Sequence, residues 1–128
     1  MSFSNWEGFQ TLAKALVKFD NHEDLMRSAI NRSYYFAFNI SVSYAEEHLA
    51  FERSGRNIHE RILDNMKDYG NREVKEAGRK LHRLQKKRVD ADYRGLIKIK
   101  KSDAKESIIL ADEIMGTIKS QINSNIVP

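Results

Sequence analysis

The chain contains no cysteine. That removes disulfides, thiolate zinc sites and cysteine nucleophiles, and it makes a reducing cytoplasm the default expectation. Proline is almost as scarce. The only one is Pro128, so no residue from 1 to 127 is forced out of a helix by a ring clash or a missing amide proton. No run approaches the ~20 apolar residues of a membrane span, and no membrane association is expected. Met1-Ser2-Phe3-Ser4-Asn5-Trp6 has no basic region leading into an apolar run, so no secretory signal is expected. The six glycines are scattered, which leaves no phosphate-cradling loop with a following Lys and no Gly-x-Ser-x-Gly elbow. His22, His48, His59 and His82 include no pair four residues apart, so neither a metal site nor a cofactor is expected.

What remains is a chain of 128 residues, 41% hydrophobic and 31% charged. These values fit one globular domain over residues 1–128, with a core from about 5 to 122 and a frayed tail at 123–128.

Apolar residues recur at spacings of three and four, which predicts helices throughout. The first runs from about Asn5 to Phe19, with Trp6, Phe9, Leu12, Ala13, Leu16 and Val17 on one side. The second follows an Asn21 cap and runs for about 28 residues to Leu49, longer than most helices. It carries Leu25, Ala29, Phe36 and Ile40 on one face and is apolar on several sides, so several neighbours should bury it. Residues 50–57 form a loop. A third helix carries Ile58, Ile62, Leu63, Met66 and Tyr69, and Gly70-Asn71 turns the chain. A fourth carries Val74, Ala77, Leu81 and Leu84 and ends between Arg88 and Tyr93. Gly95 to Lys101 connects onward, and residues 96–100 alternate partly, as a short extended piece does. Asp103 followed by Glu106 resembles a capping box opening the fifth helix. There Ile108, Ala111, Met115, Ile118 and Ile122 form a heptad-like seam that packing in a bundle explains. The expected class is all-α, an up-and-down bundle of four to five helices.

Charge is unevenly placed. From Arg79 to Lys101 there are ten basic residues and two acidic ones, a net +8, while the remainder holds 12 bases and 16 acids, a net −4. Such a segment is either a solvated helix face or a surface for phosphate groups, where counterion release favours binding. Arg83, Lys86, Lys87, Arg94, Lys98 and Lys100 are the candidate phosphate contacts.

Two stretches carry candidate chemistry. His59 sits in the first turn of the third helix, where the positive helix end disfavours imidazolium. With Arg53 or Arg56 beside it, a neutral imidazole can serve as a general base next to a phosphate clamp. In Arg88-Val89-Asp90-Ala91-Asp92-Tyr93, Arg88 and Asp92 are one turn apart on a helix. Asp92 can hold the guanidinium while Arg88 presents its fork to a phosphate, with Tyr93 adding a phenolic hydrogen bond. Arg32 and Asn31 lie in an apolar stretch of the second helix and need partners, which the Arg88–Asp92 region can supply. For each of these a purely structural role competes with the functional one.

Arg32-Ser33-Tyr34-Tyr35-Phe36-Ala37-Phe38 resembles the Arg-x-Tyr-Tyr-x-x-Phe signature of HEPN domains (higher eukaryotes and prokaryotes nucleotide-binding). Arg88 to Tyr93 resembles their Arg-x-x-Ala-Asp-Tyr motif, and His59 is similar to a Thr-His-x-Gly-type position between the two. The resemblance spans about residues 8 to 122. It implies a helical bundle, usually a homodimer, and it points to Arg88, Tyr93 and His59 as catalytic, supported by Asp92, Arg32 and Tyr35. Many members are metal-independent ribonucleases of toxin–antitoxin and antiviral systems. These use an Arg-x4–6-His motif that meets its copy across a dimer. Others are binding modules, and many are encoded beside a minimal nucleotidyltransferase. In this chain the position expected for the motif's His is Tyr93, and a phenol with an ordinary pKa of about 10 is a poor base at neutral pH. Arg53-x5-His59 meets the spacing elsewhere in the chain.

Two functions follow as expectations. One is a dimeric RNA-cleaving or RNA-binding protein of a toxin–antitoxin or antiviral system. In it a ribose 2′-hydroxyl attacks the adjacent phosphate, Arg88 with Arg83 and Lys87 stabilises the phosphorane, and His59 or Tyr93 handles a proton. The other is a non-catalytic module that binds a nucleotide, RNA or a partner such as a nucleotidyltransferase. A third reading is helical assembly through the Ile108–Ile122 seam.

Overall fold

Without internal proline, the three-and-four apolar spacing works out as five α-helices in the computed structural model, which describes residues 3–19 and 22–126. They are α1 (Ser4–Leu16), α2 (Glu23–His48), α3 (Ile58–Tyr69), α4 (Arg72–Tyr93) and α5 (Lys101–Ile126). Successive helices pack on one another, and α2 touches all four others, giving an up-and-down all-α bundle around a central helix. Ala29, Ile30, Tyr34, Ala37, Ile40, Val42 and Ala45 of α2 are all buried, as a helix apolar on several sides requires. Among the described residues no helix is long and apolar enough to cross a membrane.

Several boundaries differ from the sequence reading. The Asn21 cap lies outside the described residues, and α2 opens on Glu23 and Asp24, acids that suit its positive end. Leu12 of the expected α1 stripe faces solvent, while Ala13 is fully buried. Residues 96–100 pair with no strand. The chain turns at Arg94–Ile97, and the Ile99 amide donates to the Glu23 carboxylate at 2.7 Å. Helix α5 starts earlier than the capping box suggested. Asp103 is the third residue of the helix, and its carboxylate reaches back to the Lys100 amide at 2.8 Å. Glu106, freed from capping, pairs with Arg83 and Lys87 instead. The expected tail is helical as far as Ile126. The Ile108–Ile118 seam is buried inside the bundle with Ile122 packed against it, so it does not serve as an assembly face.

A satisfied polar knot ties three helices. Gln10 of α1 donates to the Ile108 carbonyl and to Asp112 of α5, both at 3.0 Å, and accepts from the Ser33 hydroxyl of α2 at 2.9 Å. At the α3–α4 turn the backbone leaves no room for a side chain. A Cβ on Gly70 would lie 2.5 Å from the Met66 carbonyl oxygen and 2.6 Å from a Val74 methyl. Gly116 of α5 is the opposite case, exposed with open space around it. Gly70→Ala should therefore lower the unfolding free energy by about 1–3 kcal/mol through overpacking. Gly116→Ala should raise it by about 0.5–1 kcal/mol through helix propensity. Urea denaturation of the two variants beside the wild type checks the opposite signs.

Candidate functional site

The sequence places Arg88 on the inner face of α4, four residues after Leu84, and the fold buries it: only 8% of its surface is exposed. A guanidinium cannot shed its charge, so its neighbours must offset the lost hydration. Its Cζ lies 5.1 Å from the Tyr34 ring centroid and 5.6 Å from those of Tyr35 and Tyr93. Its Nη1 lies 3.5 Å from the Asp92 carboxylate and 3.4 Å from the Tyr93 hydroxyl. Burial works against the charge, and Tyr35, Tyr34 and Tyr93 outweigh it and push the Arg88 pKa up. Both contacts are made by Nη1, and the buried Nε–H has no partner among the described residues.

Asp92 is itself held. The Asn31 amide of α2 donates to the same carboxylate oxygen at 2.9 Å, so Asn31 links α2 to the Arg88–Asp92 pair. Arg32 does not join this network, since its guanidinium sits 5.7 Å over the Phe9 ring of α1.

His59 joins the same cluster. It is the second residue of α3, stacked on Phe38 with ring centroids 4.4 Å apart and edge-on to Tyr35. Its Nδ1 is hydrogen-bonded to the Tyr34 hydroxyl. Tyr34 is thus the bridge: its ring lies beside Arg88 and its hydroxyl is on His59. Burial lowers the His59 pKa, and the nearby Arg88 charge lowers it further. Burial also pushes the Tyr34 phenol up, so it stays protonated.

Two other arginines hold this cluster in place. Arg27 of α2 donates through Nη1 to the carbonyls of Asp90, Ala91 and Arg94 at 3.1, 2.9 and 3.4 Å, and through Nη2 to that of Ile97. It therefore satisfies the open C-terminal end of α4, immediately beyond Arg88, and complements the negative end of the helix. Glu23, one turn earlier, holds Arg27 at 3.2 Å. Arg61 of α3 does the same for the loop before His59, donating to the carbonyls of Arg56, Glu52 and Ser54 at 2.7, 2.9 and 3.0 Å. That loop contains Ala50, Gly55 and Asn57, all at positive φ.

The structure therefore brings Arg88, Asp92, Tyr93, Tyr35 and His59 together. It leaves other sequence candidates apart from them. Arg53 pairs with Glu46 at 3.0 Å and reaches Asn39 and Ser43, and the charge that acts on the imidazole is that of Arg88. Much of the basic segment is neutralised by acids on α5 and α4. Arg83 and Lys87 meet Glu106 at 3.0 Å, Lys80 meets Glu113 at 2.8 Å and Arg94 meets Asp90 at 3.2 Å. Lys86, Lys98 and Lys100 are exposed with no ion pair among the described residues. Tyr93, 72% exposed, forms the outer wall of the cluster. Among the described residues no three His, Asp or Glu side chains converge as a metal ion would need.

Sequence reasoning missed Tyr34, Arg27 and Arg61. Tyr34 stands inside the quoted Arg-x-Tyr-Tyr signature, which was its signal. Arg27 and Arg61 bond to carbonyls, which leave no trace in the side-chain pattern.

Comparison with known proteins gives one match. The family model described as HEPN domain matches residues 8–121. No curated protein and no solved structure matches the chain.

His59 makes acid stability testable. Its folded pKa lies below the ordinary value, so the folded state binds fewer protons than the unfolded chain as pH falls. The stability it contributes is complete above the ordinary pKa of about 6.5 and is lost as pH drops through that value towards the lower folded one. Denaturation midpoints at about pH 8 and about pH 5.5 should fall for the wild type and fall less for His59→Gln. Equal losses in both proteins would remove His59 from the acid response.

Proposed function

The chain belongs to the HEPN domain family, and from that premise we propose that it binds RNA by gripping a backbone phosphate at the Arg88–His59 cluster. Membership carries a nucleotide- or RNA-related role in general. The observation that supports the finer reading is the state of Arg88. It is nearly buried, permanently charged, and fixed on one side through Nη1 by Asp92 and Tyr93. A phosphate oxygen is the complementary acceptor for such a fork, and a charge-assisted bond in a largely desolvated site is strong. Lys86, Lys98 and Lys100 add exposed charge that attracts the polyanion.

In this reading the protein works as a homodimer in a toxin–antitoxin or antiviral system, with a nucleotidyltransferase-type protein as partner. Metal-independent cleavage is the second reading, and the meeting of His59 with Arg88 through Tyr34 favours it. Arg88 would stabilise the phosphorane formed when a 2′-hydroxyl attacks the neighbouring phosphate. The carboxylate at hand, Asp92, is already bonded by Arg88 and Asn31, which favours binding over proton abstraction.

The experiment is to incubate single-stranded RNA with the wild type, Arg88→Lys and Arg88→Ala in the presence of EDTA, following both retention and chain length. Salt-sensitive binding is expected for the wild type. Arg88→Ala should weaken it roughly tenfold or more, and Arg88→Lys should not restore it fully because it lacks the planar fork. Circular dichroism melts show whether the variants remain folded. RNA shortening that vanishes in Arg88→Ala would establish the second reading. Folded Arg88→Ala that binds and cuts like the wild type would remove this site from the function.

A further inference from the structure

The Tyr34–His59 contact fixes more than distance. Tyr34 is 1% exposed, and its hydroxyl has His59 as its one hydrogen-bond partner among the described residues. Two arrangements share the same heavy atoms. In one, Tyr34 donates to a bare Nδ1 and the imidazole carries its proton on Nε2. In the other, Nδ1–H donates to the phenol oxygen, whose own proton then points into the core with no acceptor. The second buries an unsatisfied O–H, which costs the full desolvation of that group, while the first leaves only spare lone pairs. Phenolate is no alternative, because burial holds Tyr34 in its neutral form. Imidazolium is disfavoured as well: the ring is partly buried, near Arg88, and in the first turn of α3.

We infer that Tyr34 is a positioning residue that locks His59 with its proton on Nε2, so that His59 meets its ligand as a hydrogen-bond donor and not as a base. The identity of the ligand, a phosphate oxygen, rests on the RNA-binding reading; the tautomer does not. His59 then offers its Nε2–H to that ligand. The role first expected for His59, proton abstraction, would require the ring to release the Tyr34 bond.

Nitrogen-15 correlation spectra of the full chain, taken without RNA at about pH 8 where imidazole is neutral, read the tautomer directly. The wild type should show a bare Nδ1 and a protonated Nε2. Tyr34→Phe should convert this to a mixture of tautomers while the amide spectrum stays folded. A wild-type His59 protonated on Nδ1 would overturn the inference, and so would a Tyr34→Phe spectrum unchanged at His59. RNA binding supplies the second arm. In His59→Gln the amide oxygen can accept from Tyr34 while the NH2 group donates outward, so binding should weaken less than in His59→Ala. His59→Ala should lose roughly tenfold. Equal binding by wild type and His59→Ala would overturn the donor role while leaving the Arg88 reading intact. A protonated Nε2 in a wild type that binds no RNA would instead overturn the RNA-binding reading, and with it phosphate as the acceptor.

Discussion

A guanidinium enclosed by the bundle is the constraint around which the other parts are arranged. Arg88 cannot become neutral, so every group that lines it must either share its charge or stay out of its way. Asp92 supplies a single counter-charge at 3.5 Å, loose for an ion pair, and three tyrosine rings supply the rest. Asn31 keeps Asp92 from swinging outward, and Arg27 keeps the last turn of α4 wound so that Asp92 and Tyr93 remain helical neighbours of Arg88. Removing one partner of such an ion pair is expected to cost about 3–5 kcal/mol where burial is complete, and less here because Asp92 retains some solvent contact.

Positive charge on this protein does two kinds of work. Arg27 and Arg61 donate to backbone carbonyls, the first at the C-terminal end of α4 and the second in the loop leading into α3. They bring the two halves of the site, Arg88 and His59, to fixed positions on different helices. Arg83, Lys80 and Lys87 lie against the acids of α5. What remains for an external anion is small: the Arg88 fork, the His59 ring and the exposed Lys86, Lys98 and Lys100.

The bundle was legible in the sequence because helix spacing and the lack of proline are local signals. The five apolar faces, the i,i+4 pair of Arg88 with Asp92 and the first-turn position of His59 were all readable before any coordinates. Other features were not. The +8 segment looks exposed on paper, since nothing in a linear count says that Glu106 and Glu113 will lie opposite it. The start of α5 was misplaced because a carboxylate that caps by reaching backwards reads the same as one that caps forwards. Arg53 satisfied a spacing rule, yet Glu46 lies within its reach and takes it. Tyr34 was visible as a motif residue, but its bridging role depends on a contact between α2 and α3 that periodicity does not encode.

The most direct test of the central claim follows Arg88 itself. Its Nε–H resonance, assigned by its absence in Arg88→Lys, can be monitored while a short single-stranded RNA is titrated into the full chain. The account predicts a saturable shift of that resonance, reversed by added salt. An Arg88 signal that stays fixed while lysine signals move would show that RNA rests on the exposed cations alone, and would contradict the account.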